Sequence, residues 1–344
     1  MSVLLTPSLE LPVAEAPAVS APAFRHPAVV CNPLGGRCRR DPELRRRLSH
    51  LTGRGYAEAS DPEAVRNALD ASITTACDVL VVVGGDGTLG MVVTELLQRR
   101  QPLPPLLVIP AGTTNATALD LGVSGDAEAG LHHLEALLGT QGRTFATKLR
   151  HCRRPVMEVT HADAPPRCGF LFGLGAIAAA VERFRHDGNR LGLTGEMASF
   201  GAFLSAMSAL VAGRHRGLLA PVSIETRVDD EREMKGDYLL MLASSLDRTL
   251  MGLRPYWGQE PKPLHYTAVA TRSRYLRRLL PSILRGRSDA RLRPENGYYS
   301  ANVDRLEFYL DGTYMLDGEI HPVRRADGPL CVTALPPIEF IVPE

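Results

Sequence analysis

The run Asp78-Val79-Leu80-Val81-Val82-Val83, followed at once by Gly84-Gly85-Asp86-Gly87-Thr88, constrains this chain more than any other stretch. A continuous β-branched run suits a strand buried on both faces, as strands of a parallel sheet are. Beyond the glycines, Leu89, Val92, Val93, Leu96 and Leu97 recur at i, i+3, i+4, i+7 and i+8, one face of an amphipathic helix. A strand that breaks into glycines and re-enters a helix aims unpaired backbone N–H groups and the positive helix end at one spot. Glycine also lets a phosphate approach that backbone with no Cβ in the way. Residues 84–88 therefore predict a phosphate cradle, with Thr88 placed to cap the helix and to donate its hydroxyl to an oxygen.

Two similar units flank this one. Ala28-Val29-Val30-Cys31 runs into Asn32-Pro33-Leu34-Gly35-Gly36, and Leu106-Leu107-Val108-Ile109 into Pro110-Ala111-Gly112-Thr113-Thr114-Asn115. Helices are expected over 42–51, capped by Asp41, and over 62–71, capped by Ser60 or Asp61. Strand, glycine turn and helix thus alternate, the signature of a parallel α/β sheet, whose strand carboxyl ends line a ligand crevice. The second half differs. Residues 197–212 read as a helix, and from about 221 short alternating strands prevail. Asp311-Gly312, Asp317-Gly318 and Asp327-Gly328 can each supply the positive φ of a tight hairpin, so a β-meander is expected. The predicted architecture is α/β: a disordered leader at 1–26 and a doubly wound parallel-sheet domain at 27–145. A mainly antiparallel β domain follows at 146–344, with the option that its last strand returns to the first domain. The nucleotide cleft lies between the two domains.

Composition narrows the function. A formal net charge of +1 gives no global field towards DNA, and no stacking array or binding motif marks a nucleic-acid site. No apolar stretch is long enough to span a bilayer, and Glu10 and Glu15 interrupt an N-terminus that has no basic region, unlike a signal peptide; a cytoplasmic location is expected. The six cysteines include no C-x-x-C pair and read as buried free thiols. Lysines occur only at Lys148, Lys235 and Lys262, so a phosphate clamp here draws on guanidinium forks or backbone amides. Gly85-x-Gly87-x-x-Gly90 has the spacing of a dinucleotide fingerprint, but the next strand ends in Pro110 with no carboxylate for a ribose. No Gly-Lys-Ser or Gly-Lys-Thr occurs, so the cradle is not a Walker A loop either.

Four motifs in order, Asn32-Pro33-Leu34-Gly35-Gly36, Gly84 to Thr88, Pro110 to Asn115 and Asp317-Gly318-Glu319, resemble the bacterial diacylglycerol-kinase-like lipid kinases, relatives of sphingosine kinase. NAD kinases share a Gly-Gly-Asp-Gly loop, but the turn that ends in Asn115 favours the lipid branch. The resemblance implies a two-domain kinase with ATP and Mg2+ in the cleft. The phosphates would lie on Gly84, Gly85, Asp86, Gly87 and Thr88, with Asn32, Gly36, Ser60, Thr113 and Asn115 contributing, and a lipid hydroxyl would enter from the second domain. Ser60 stands where such kinases often carry Thr, and a simple helix cap is its other reading. Phosphoryl transfer needs phosphates held in line and a group to take the hydroxyl proton. Glu319 is the first choice for that base on the resemblance, Asp317 is the alternative, and Asp86 is a further candidate that could orient the hydroxyl or hold metal through water.

The chain departs from the family pattern at three places. Gly90-Met91 stands where Asn-Glu is usual, Gly173-Leu174-Gly175-Ala176-Ile177-Ala178 has lost an acid, and the stretch from Arg254 to Ala268 lacks the motif that supports a structural magnesium. Rival readings are therefore a kinase of a soluble substrate, as NAD kinase is, and a non-catalytic nucleotide-binding protein. Residues 272–293, from Arg272 to Arg293, hold eight arginines interleaved with Tyr275, Leu276, Leu279, Leu280, Ile283 and Leu284, broken by Pro281. Such a segment either seats the protein on an anionic membrane or forms a solvated basic face.

Overall fold

The computed structural model describes Phe24 and residues 26–73, 77–99, 101–123, 126–138, 149–191 and 220–343, with the backbone alone for 184–191 and 250. Nearly all of the expected leader, and the expected helix at 197–212, lie outside the described residues.

The first domain is built from β1 (Pro27–Cys31), α1 (Gly36–Arg40), α2 (Pro42–Thr52), β2 (Tyr56–Glu58), α3 (Pro62–Ser72), β3 (Val79–Gly84), α4 (Asp86–Gln98), β4 (Leu106–Pro110), α5 (Ala116–Leu121) and α6 (Ala127–Leu137). Side-chain caps set two of the helix starts. Asp41 accepts from Leu44 N at 3.1 Å and Asp61 from Ala64 N at 2.9 Å, each beside a proline preset for the first helical turn. Ser60 is not a cap; its hydroxyl lies 3.3 Å from Asp61 Oδ2. The four strands pair in parallel in the order β2-β1-β3-β4. Alternation along β1 and β3 sends Val29, Cys31, Val79, Val81 and Val83 to a core shared with α2 and α6, and Ala28, Val30, Leu80 and Val82 to a core shared with α3 and α4. Both faces are therefore covered by helices, which is why the runs read as continuously apolar. All six thiols are free; Cys31 and Cys38 sit 3.7 Å apart, Sγ to Sγ.

The second part contains β5 (Leu149–His161), β6 (Arg167–Gly169), β7 (Leu171–Gly175), α7 (Ala176–Leu191), β8 (Val222–Val228), β9 (Arg232–Ser244), β10 (Leu264–Ala270), α8 (Leu276–Leu284), β11 (Tyr298–Val303), β12 (Arg305–Tyr309), β13 (Gly312–Leu316), β14 (Glu319–Val323) and β15 (Leu330–Pro343). Only one of the three Asp-Gly steps closes a tight hairpin. Asp317 (φ 47°) and Gly318 (φ 85°) both take the left-handed backbone a two-residue turn needs, and they set Leu316 opposite Glu319. Gly312 (φ 148°) and Gly328 (φ 103°) fall outside that geometry. The chain passes Asp311-Gly312 from β12, which lies between β8 and β15, to β13, which lies between β7 and β14. The expected meander is thus a crossed sheet.

β15 ties the two parts together. It runs antiparallel to β5 and β12, shifts register between Leu335 and Ile338 where two prolines cannot donate, and ends parallel to β4 with Phe340 opposite Leu106. Phe340 is fully buried, meets Phe170 edge-on at 6.1 Å, and shares one core with Leu89 and Leu106. Phe340→Ala is expected to cost about 3–5 kcal/mol. Denaturant unfolding of this variant should remain a single transition, because the core it opens belongs to both parts.

Candidate active site

The three turns that follow β1, β3 and β4 form one braced unit. Asn32 N donates to Val83 O and Arg37 N to Ala111 O, while Ala111 N donates to Gly84 O. Asn32 also gives its amide to Thr88 Oγ1 at 2.9 Å, and its own Oδ1 accepts from Leu34 N at 3.0 Å. Asn115, in left-handed backbone (φ 47°), folds its side chain back on Gly112, accepting from Gly112 N at 3.0 Å and donating to Gly112 O at 3.1 Å. Asp86 completes the brace: its two carboxylate oxygens accept from Ala116 N and Thr117 N, each at 2.9 Å. The phosphate-loop aspartate is therefore the cap of α5. The cap engages both oxygens and holds the Asp86 carboxylate in a fixed orientation.

The glycines act through close approach, because none of Gly84, Gly85, Gly87 or Gly112 has a positive φ. A Cβ on Gly112 would run into Gly85 Cα, and one on Gly84 would lie 2.6 Å from the Thr88 side chain. A Cβ on Gly87 would point not at a phosphate site but at Glu319, 3.4 Å from Oε1. The first intrahelical bond of α4 runs from Leu89 N to Gly85 O. Helix geometry thus leaves the N–H groups of Asp86, Gly87 and Thr88 to an external acceptor, at the positive end of the helix. Gly85 is the N-cap and makes no side-chain cap bond, so Thr88 lies inside the first turn with its hydroxyl held by Asn32. Gly36 opens α1 with only Ala111 O near, at 3.8 Å from a built Cβ, and Thr113 lies half-buried in the turn after β4. Ser60 follows β2, where Ala59 N bonds Cys31 O, and its hydroxyl faces Asp61, outside the braced unit.

The β13–β14 hairpin brings two more carboxylates to this place. Asp317 Oδ1 accepts from Leu171 N at 2.8 Å and from Phe170 N at 3.1 Å. Burial pushes its carboxyl well above the usual range, and the nearby Asp86 and Glu319 charges add to this against those two N–H groups. Two glycines missed as site residues by sequence reasoning make the approach possible. A Cβ on Gly90 would lie 3.2 Å from Asp317 Oδ2 and 3.0 Å from Cys168 O, and one on Gly169 would lie 2.6 Å from Asp317 Oδ2. Gly90 thus explains one departure from the family pattern: α4 is bared there so that β6 and the hairpin can close on it. Glu319 is about half exposed, with His321 Nε2 3.8 Å from Oε2.

A groove of about 220 Å³ starts at Gly87, Asp317 and Glu319 and runs along the outer stripe of α4, Met91, Thr94, Glu95 and Gln98, to Arg66, with Arg167 and His321 on its other walls. Arg66 grips Glu95 through two bonds of 3.0 Å. The α4 part was readable, since that stripe lies opposite the apolar one. Nothing in the sequence placed Arg167 or His321 beside it. Ile177, where the family acid is lost, packs over Gly173 with no carboxylate in its place. Among the described residues no group of three or more His, Cys, Asp or Glu could hold a metal, and in the stretch from Arg254 to Ala268 the Lys262 ammonium bridges Asp229 (2.8 Å) and Asp304 (3.6 Å).

Two outcomes follow from this geometry. Gly112→Ala should force the turns after β3 and β4 apart, lowering stability by about 1–3 kcal/mol in thermal melts. Asp317→Asn keeps the backbone bonds and tolerates the left-handed turn, so it should fold as the parent does. Because the folded pKa of Asp317 is raised, the native state holds its proton longer than the unfolded chain. Parent stability should then fall as pH rises above about 3.9, the unfolded value, until Asp317 ionises in the fold. The Asn variant should lack that loss, and its advantage over the parent should grow with pH across this window in urea titrations.

Residues 26–147 match the family model described as the diacylglycerol kinase catalytic domain. The protein of Stenotrophomonas maltophilia (strain K279a) named "Probable lipid kinase YegS-like" is 36% identical over 98 residues, which are 26% of this chain and span 31% of that relative. Two solved structures from Bacillus anthracis str. Sterne, one named "a putative diacylglycerol kinase" and the other "a diacylglycerol kinases", share the fold. One superposes with a TM-score of 0.60 at 15% identity, covering 92% of this chain and 94% of its own; the other scores 0.51 at 13% identity, covering 93% and 94%. The parallel sheet and the antiparallel part agree with these matches, and residues 26–147 are similar to the diacylglycerol kinase catalytic domain family.

Proposed function

We propose that the chain is an ATP-dependent kinase that transfers the γ-phosphate to a hydroxyl of a diacylglycerol-like or sphingoid lipid. The observation that carries this reading is the meeting of two parts. The open N–H groups of α4 point out of the braced turns, and Glu319 of the second part rests against Gly87 at that same helix end. A phosphate on Gly84 to Thr88 would be bound by backbone N–H groups and the helix dipole, with the Thr88 hydroxyl, already oriented by Asn32, adding a donor. Glu319, partly open to the groove, accepts the acceptor's hydroxyl proton. Asp317 fixes the hairpin that carries Glu319, and Asp86 fixes the loop against α5. Magnesium bound with the nucleotide would neutralise phosphate charge. The donor set suits an ion that keeps several waters and rides on phosphates, since the described residues offer no preformed cage and Glu319 is the one half-exposed carboxylate of the hairpin.

A second reading, a kinase of a soluble polar alcohol, is favoured by the groove beside Glu319, whose walls include Arg66, Thr94, Glu95, Gln98, Arg167 and His321. Labelled ATP offered to diacylglycerol, ceramide, sphingosine, NAD and sugar alcohols separates the two. Label in lipid supports the proposal, and label only in a soluble acceptor supports the second reading. Binding of ATP without transfer to any alcohol would make the chain a non-catalytic member, with Met91 and Ile177 as the altered positions. In the active case Glu319→Gln should lower kcat by about 10²–10⁴ with ATP affinity little changed. An Asp317→Asn variant slowed by about 10²–10⁴, beside a fully active Glu319→Gln, would move the base to Asp317.

A further inference from the structure

Residues 272–293 carry eight arginines against one aspartate in a chain of net charge +1, so the rest of the molecule is net acidic. The fold sorts this segment. Leu279 and Ile283 of α8 are buried with Leu239, Val269 and Tyr298, and Leu276 and Leu280 are half-buried against them. Arg277 and Arg278 take the outer side of the helix, Arg272 and Arg274 precede it, and Arg285 and Arg287 follow it, all exposed. Among the described residues none of these six has a carboxylate in ion-pair range. Asp289 is held by Arg291 at 2.8 Å, and Glu295 lies 3.7 Å from Arg293. The apolar side of the helix is therefore spent on the core and not offered to lipid. What faces outwards is guanidinium and one aromatic, Tyr275, 57% exposed.

We propose that this arginine face docks on an anionic lipid bilayer by electrostatic contact, without helix insertion. The inference rests on the lipid-kinase reading for its purpose, since a lipid acceptor must be met at a membrane. The contact itself follows from charge. Guanidinium forks match the phosphates of anionic headgroups, and an aromatic with a polar tip suits the interfacial zone. Single-stranded nucleic acid fits poorly, because Tyr275 is the one exposed large aromatic among the described residues and offers no stacking platform. The placement is also productive. α7 starts at Ala176, in the same core cluster as Leu279, and packs on β13 and β14, the hairpin that carries Asp317 and Glu319.

The test is co-sedimentation of the full chain, without nucleotide, with vesicles of phosphatidylcholine alone or mixed with phosphatidylglycerol. The parent should bind only the mixed vesicles, and high salt should release it. Replacing Arg274, Arg277 and Arg278 together by Gln should weaken that binding about 100-fold, roughly fivefold for each charge near the surface. Tyr275→Ala should have a smaller effect, and neither change should alter ATP affinity. Equal binding to neutral and mixed vesicles, no binding at low salt, an unaffected triple variant, or displacement from vesicles by a DNA oligonucleotide would each overturn the proposal. Because sedimentation needs no phosphoryl transfer, an inactive kinase that still binds mixed vesicles would count against the catalytic reading alone.

Discussion

Everything at the site depends on two strand-to-helix turns being allowed to touch. Gly85 and Gly112 approach so closely that a side chain on either would meet the other's backbone, and Asp86 then spans the gap to satisfy the first N–H groups of α5. Without that cap α5 would begin with buried orphan donors. Without the glycines Asp86 could not reach them. The same clamp leaves α4 with its own first N–H groups unspent, because its cap residue is a glycine with no side chain to offer. One helix is capped by a neighbouring loop so that the other can stay open.

The second part of the chain completes the place without touching that clamp. β15 carries the sheet across the junction, and Phe340 and Phe170 bury together in the core that holds Leu89 of α4. With the sheet continuous, the β13–β14 hairpin is brought against α4 over two bare positions, Gly87 and Gly90. A glycine inside a helix costs up to about 1 kcal/mol relative to alanine. Here the cost is offset by the approach of Asp317 and Glu319. Three carboxylates then crowd one end of α4. Burial, with that crowding added, raises Asp317 above its ordinary range, while Glu319, about half exposed, keeps contact with water.

Much of the first domain was legible, because parallel strands covered on both faces write continuous apolar runs and helix starts write their caps. Residues 79–84 and the stripe from Leu89 to Leu97 are such cases. The short edge strand Tyr56–Glu58 left no mark, since three half-exposed residues have no periodicity. The second part was harder. An Asp-Gly pair reads alike whether it closes a hairpin, as at Asp317, or only turns the chain, as at Asp311, where pairing with distant β8 and β15 decides. The site was legible as a set of motifs and not as a set of roles. Asp86, singled out for its chemistry, also caps α5, Thr88 looked like a cap and is held by Asn32, and Gly90 looked like a loss and makes room. Roles of this kind are set by which backbone comes near, information held by partners 30 to 230 residues away.

The central claim is that the open end of α4 receives the terminal phosphates of ATP with Glu319 beside them. The direct measurement is a crystal structure of the chain soaked with a non-hydrolysable ATP analogue and magnesium. The account predicts β- and γ-phosphate oxygens within hydrogen-bond distance of the N–H groups at Gly87 and Thr88, with the Glu319 carboxylate facing the γ-phosphate across the mouth of the groove. An analogue bound elsewhere, or phosphates turned away from α4 with Glu319 on the far side of the hairpin, would contradict it.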